Sequence, residues 1–110
     1  MYDEFQFDAN YDQLPDNLPR DGWQTKDWDC ALSIFRVLKD GRVLRAGSKL
    51  TNDADAFYFS DRLTGYYCLY TDKNEITLVI NNGFVAELLT GECITDMEVD
   101  LNWQPFFPEH

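Results

Sequence analysis

Along the chain, apolar and polar positions fall into two regimes. From Ala31 onward they group into short apolar, β-branched runs separated by turn residues, the pattern of half-buried strands rather than amphipathic helices. ALSIFRVL and RVLRAG flank an Asp-Gly turn, a strong short-range hairpin signal. A two-residue Asp40-Gly41 loop would set Arg36 against Arg45, a like-charge pair. A three-residue loop, Lys39-Asp40-Gly41 with Gly41 left-handed, instead pairs Val37 with Val43 and Arg36 with Leu44, and is preferred. In ITLVI-NNG-FVAELL a three-residue Asn81-Asn82-Gly83 loop places Ile76, Leu78 and Ile80 on one face with Phe84, Ala86 and Leu88. Thr77, Val79, Val85 and Glu87 then point the other way, which spares Glu87 the cost of burial.

Upstream, GYYCLYT pairs back through Asp72-Lys73-Asn74, with Tyr66, Cys68 and Tyr70 facing inward. MEVDLNWQ alternates, with Met97, Val99, Leu101 and Trp103 inward. AFYFS (56–60) reads as a further short strand, and a helix within 49–64 is the weaker alternative. The expected fold is therefore all-β, an antiparallel meander of six to seven strands forming a small barrel or two-layer sandwich. The first 29 residues, with Pro15, Pro19 and many Asp and Asn, show no sustained period. A single domain over 1–110 follows: an irregular, extended acidic arm (1–29), a β core (30–104) and a tail (105–110).

Composition narrows the picture. A content of 45% hydrophobic and 15% aromatic residues is that of a chain with a core to bury. Net charge is −11, unevenly spread: 8 acidic and 2 basic side chains in 1–29, 1 and 5 in 30–52, 11 and 2 in 53–110. Such a surface repels nucleic acid and anionic membranes and attracts basic protein surfaces. Solubility alone is the plainer explanation of the same charge. The N-terminus has no basic and apolar leader and no run is long enough to span a membrane, so a cytoplasmic location is expected. Three cysteines (Cys30, Cys68, Cys93) without CxxC spacing read as reduced thiols, and the lone histidine, His110, leaves no histidine-cysteine metal site.

Candidate chemistry is sparse. The chain lacks a nucleophile elbow, a Gly-rich phosphate loop and an internal histidine, so no enzyme and no cofactor is expected. Asp53 with Asp55, and Asp72 with Asn74, offer oxygen ligands but do not continue into a calcium loop, and no metal site is assigned. Three groups remain. Outward carboxylates Glu75, Glu87, Asp96, Glu98 and Asp100 form an acidic partner-binding surface; Glu98 and Asp100, at i and i+2 on a strand, sit about 6.6 Å apart, close to the spacing of backbone phosphates. Trp23 and Trp28 either plug an open sheet edge or anchor a partner. Arg36, Arg42 and Arg45, in a basic island with Lys39 and Lys49, either neutralise the acidic surface or bind an anionic ligand.

GWQTKDWDC (22–30) followed by the Asp40-Gly41-Arg42 turn resembles a group of small phage and prophage proteins of unknown function that share a WQTKDLDC-like segment, with Trp28 where that group has leucine. The likeness covers residues 22–45 and, more loosely, GYYCLYT. It implies a phage-encoded intracellular protein and brings no functional residues with it. The expected function is that of a non-catalytic accessory protein binding another protein, such as a basic nucleic-acid-handling or defence enzyme of the host, and inhibiting it by nucleic-acid mimicry. A small anionic-ligand barrel and a phage structural protein are the alternatives.

Overall fold

The structure, a computed structural model, describes residues 3–25, 34–46, 57–91, 96–97 and 103–106. All regular structure among them is β: β1 (Asp3–Phe7), β2 (Trp23–Thr25), β3 (Ile34–Val37), β4 (Val43–Ala46), β5 (Phe57–Phe59), β6 (Gly65–Tyr70), β7 (Glu75–Asn81), β8 (Phe84–Thr90), β9 (Asp96–Met97) and β10 (Gln104–Phe106). Nine strands form one sheet in the order β10-β5-β4-β3-β1-β2-β6-β7-β8, and β9 adds to β6. The sheet curls into a half-barrel until β8 returns to the start of β4 at a single bridge, Arg42 with Phe84.

The all-β expectation holds, but the meander does not. Among the described residues there are ten strands rather than six or seven, and β1 runs parallel to β3, pairing Phe5 with Phe35 and Phe7 with Val37. The segment expected to be an irregular arm supplies the middle of the sheet, because β1 pairs β3 on one edge and β2 on the other. Its alternation is short but clean: Phe5 and Phe7 are buried while Glu4 and Gln6 are half-buried. Phe5 stacks on Phe35 with ring centroids 5.0 Å apart. The connection between β1 and β2 folds back over the core, burying Tyr11 and Leu14. Arg20 holds it in place, its guanidinium donating to the carbonyl oxygens of Tyr11 (2.5 Å) and Asp8 (3.3 Å).

The β3–β4 hairpin has the expected register, Val37 with Val43 and Arg36 with Leu44, and Gly41 has φ +91°. The other two hairpins differ. At β7–β8 the loop is the two-residue Asn82-Gly83 turn, with φ +52° and +88°, the left-handed pair that matches strand twist. Asn81 therefore pairs with Phe84, and a bulge beside Val79 and Ile80 shifts the ladder so that Leu78 meets Leu88 and Val79 meets Glu87. Val85 and Leu88 pack on the core, whereas Ala86, expected inward, is exposed.

At β6–β7 the turn has four residues, not three, because the Thr71 hydroxyl accepts from the backbone N–H groups of Lys73 and Asn74 and so closes a longer loop. One residue of slip exchanges the faces of a strand. Tyr67 and Leu69 are buried in place of Tyr66, Cys68 and Tyr70. Phe57–Phe59 is the short strand expected within 56–60, and residues 57–64 are not helical; 47–56 lie outside the described residues. Of MEVDLNWQ (97–104), Met97 ends β9, 98–102 lie outside the described residues, Trp103 packs against Phe35 at 6.0 Å, and Gln104 begins β10.

Cys68 is disulfide-bonded, correcting the expectation of three reduced thiols; its partner lies outside the described residues. Stable disulfides belong to oxidising compartments, so a cytoplasmic location loses the support that reduced thiols lent it.

Burial raises the Tyr11 pKa above its ordinary value of 10.0, with a smaller push from the neighbouring Asp12 carboxylate. Folding thus favours the neutral phenol, and the linked stability is complete below about pH 10 and declines as pH rises through the higher folded value. Urea midpoints should therefore fall more steeply above about pH 10 in the parent than in Tyr11→Phe. Parallel profiles would show that Tyr11 ionisation does not drive the alkaline loss.

Candidate partner-binding surface

Residues directly opposite one another on paired strands share a face of the sheet. Asp96 pairs with Tyr66, Tyr66 with Val79, and Val79 with Glu87. The four side chains thus form one row across β9, β6, β7 and β8, on the face opposite the core residues Tyr67, Leu78 and Leu88. Asp96 and Glu87 end the row, three strand spacings apart, about 14 Å. Glu75 is four residues from Val79 along β7, on the same side at about 13 Å, with the fully buried Thr77 between them, so it stands apart from the row. All three carboxylates are exposed, and none forms an ion pair with a described residue.

Between the end carboxylates lie Tyr66, 40% exposed, and the half-buried Val79. An accessible tyrosine rimmed by unneutralised acids has the composition of a protein-binding patch. The sequence reading missed Tyr66 by assigning it inward. The signal lay in Thr71 and Asn74, whose four-residue turn sets the parity of β6. The separations are about twice those of neighbouring phosphates, so Glu75, Glu87 and Asp96 do not form a phosphate-like array. Glu98 and Asp100, the pair with that spacing, lie outside the described residues.

The tryptophan pair resolves in part. Trp23 is fully buried, its indole N–H donating to the Pro19 carbonyl oxygen at 2.8 Å and its ring meeting Phe7 edge-on at 6.4 Å. It is core and has no surface to offer a partner. Trp28 lies outside the described residues.

The three arginines do not converge on one anion site. Arg36 pairs opposite Leu44 and Arg45 opposite Phe35, which puts them on different faces. Arg36 lies over the Phe57 ring at 5.8 Å and donates to Gln6 Oε1 at 3.3 Å. Arg42 stands among three rings, Phe106 at 4.8 Å, Phe84 at 5.1 Å and Phe59 at 5.4 Å, with the Asp40 carboxylate 3.7 Å away. Its Nε is buried without a hydrogen-bond partner. A guanidinium committed to three aromatic faces serves as an internal clamp between β4, β5, β8 and β10. The sequence reading missed this cluster because its phenylalanines come from three separate parts of the chain.

Among the described residues no group of His, Cys, Asp and Glu is arranged to hold a metal ion, and no helix is long and apolar enough to cross a membrane. No protein-family model, curated protein or solved structure matches the chain.

Proposed function

We propose that the protein is a non-catalytic binding protein whose acidic outer face docks on a basic surface of another protein. The observation that carries this reading is the row Asp96, Tyr66, Val79 and Glu87, an aromatic anchor between two exposed carboxylates that form no ion pair with a described residue. The charge asymmetry supports it: Arg20 and Arg42 are turned into structural contacts, while Glu75, Glu87 and Asp96 face solvent. The scatter of Arg36, Arg42 and Arg45 disfavours the anionic-ligand alternative. The phage setting, the cytoplasmic location and a host nucleic-acid-handling or defence enzyme as target rest on the resemblance in residues 22–45. Inhibition by nucleic-acid mimicry rests on the Glu98 and Asp100 pair.

Capture from cell lysate at low and at high salt tests the proposal. A basic protein should be retained at low salt and released near 1 M salt, where the screening length falls to about 3 Å. Tyr66→Ala should weaken its retention about tenfold or more, as loss of an interface anchor does. Glu87→Lys with Asp96→Lys should abolish it. Equal retention by these variants would overturn the proposal.

A further inference from the structure

β8 is the last strand on its side of the sheet. Its first two residues are engaged by the β3–β4 hairpin tip: Val85 N–H donates to the Gly41 carbonyl oxygen at 2.8 Å, and Phe84 bridges to Arg42. From Ala86 to Thr90 the outer edge has no hydrogen-bonding partner among the described residues. Backbone donors and acceptors along such an edge are a template for another strand.

The far end of this edge has space beside it. At Thr90 and Gly91 a cleft of about 410 Å³ separates β8 from Pro15 and Leu18, with Glu75 in its wall. The cleft draws a wall from the connection between β1 and β2, whose Asp12 and Asp16 are exposed.

Glu87 stands midway along β8, exposed, at the end of the Asp96–Tyr66–Val79–Glu87 row. A strand added to β8 would extend that row by one position and place its own side chain opposite Glu87. Opposite charges in that arrangement attract, and like charges repel. A second copy pairing Ala86–Thr90 antiparallel in register would set Glu87 against Leu89 and so leave the carboxylate without a cation. The bulge and the carboxylate therefore discourage indiscriminate pairing, whereas a strand carrying a cation at that position is welcomed.

We propose that the free edge of β8 is a strand-addition site for an extended basic segment of the partner protein, with a lysine or arginine opposite Glu87. This rests on the acidic-surface reading and names the element and the backbone geometry through which it acts.

The probe is a short synthetic peptide alternating lysine and valine, with its glutamate-for-lysine counterpart as control, titrated into isotope-labelled protein. The lysine peptide should slow amide hydrogen exchange at Leu88 and Thr90, and the glutamate peptide should not. The Gly91 N–H donates to the Glu75 carbonyl oxygen, so the N–H of Thr90, one residue earlier, faces away from β7. Thr90→Pro keeps every charge and removes only that outward donor, a position where an edge strand tolerates proline. It should weaken lysine-peptide binding about tenfold through loss of a backbone hydrogen bond. Should that variant melt early, Glu87→Lys, at an exposed site, replaces it and should reverse the preference toward the glutamate peptide.

Shifts confined to the Tyr66 and Asp96 region, without protection along β8, would overturn the edge proposal while leaving the acidic-surface reading standing. So would binding to a stably folded Thr90→Pro at parental affinity. Protection of β8 that grows with protein concentration in the absence of peptide would overturn it in favour of self-association. Loss of salt-sensitive capture from lysate, by contrast, strikes the acidic-surface reading itself.

Discussion

Gly83→Ala is expected to destabilise the protein by about 2–5 kcal/mol, the sum of a left-handed backbone penalty of about 1–2 kcal/mol and an overpacking cost of about 1–3 kcal/mol. Gly83 has φ +88°, and a Cβ there would lie 2.5 Å from Phe59 Cε1 and Cζ and 2.6 Å from the Ser60 carbonyl oxygen. The ring could turn aside, but the carbonyl belongs to backbone. Gly83 is itself pinned, its N–H donating to the Leu63 carbonyl oxygen at 2.8 Å and its carbonyl oxygen accepting from Val43 N–H at 2.9 Å. These bonds join the β7–β8 turn to the β5–β6 connection and to β4, so relief by movement would open the closure of the half-barrel. Gly91→Ala supplies the control, since Gly91 has φ +86° and open space around its Cβ position. It should cost only the backbone penalty, about 1–2 kcal/mol. Denaturant unfolding of the two variants separates the effects; equal losses would mean that Phe59 and Ser60 yield freely.

Trp23→Ala is the second large expected loss, about 3–5 kcal/mol in a domain whose total stability is on the order of 5–15 kcal/mol. Trp23 is fully exposed to the core and shielded from solvent, pairs across strands with Phe5, and meets Phe7. Truncation leaves a cavity at the junction of β1 and β2 and deprives the Pro19 carbonyl oxygen of its donor. Trp23→Phe keeps most of the packing but removes that N–H, and should recover roughly half of the loss. A Trp23→Ala protein with near-parental stability would show that Trp23 is not part of the core and would restore it as an interface residue.

The partition between legible and illegible features follows from where the information sits. The β3–β4 register was readable because Arg36, Arg45 and Gly41 constrain it within ten residues of sequence. The β7–β8 register was not, because avoiding burial of Glu87 is satisfied equally by a longer loop and by a two-residue turn followed by a bulge. GYYCLY is apolar at nearly every position, so its periodicity carries no phase, and a Thr71 side chain decided that Tyr67 and Leu69, not Tyr66, Cys68 and Tyr70, face the core. That choice put Tyr66 on the outer face and so created the candidate site. In DEFQF the alternation of Phe5 and Phe7 was present, but its place between β3 and β2 depends on partners up to about thirty positions away.

By itself, then, the sequence determined the strand class, the first hairpin, the inward face of Ile76, Leu78 and Ile80, and the outward position of Glu87. These depend on alternation and turn chemistry, both local properties of the chain. Only the tertiary structure decided that an acidic N-terminal segment lies at the middle of the sheet, that Trp23 is core, and that Arg42 is enclosed by Phe59, Phe84 and Phe106. It also decided that Asp96, Tyr66 and Glu87 share one row, because cross-strand neighbours are fixed by register between distant segments, for which no single stretch of sequence carries a signal.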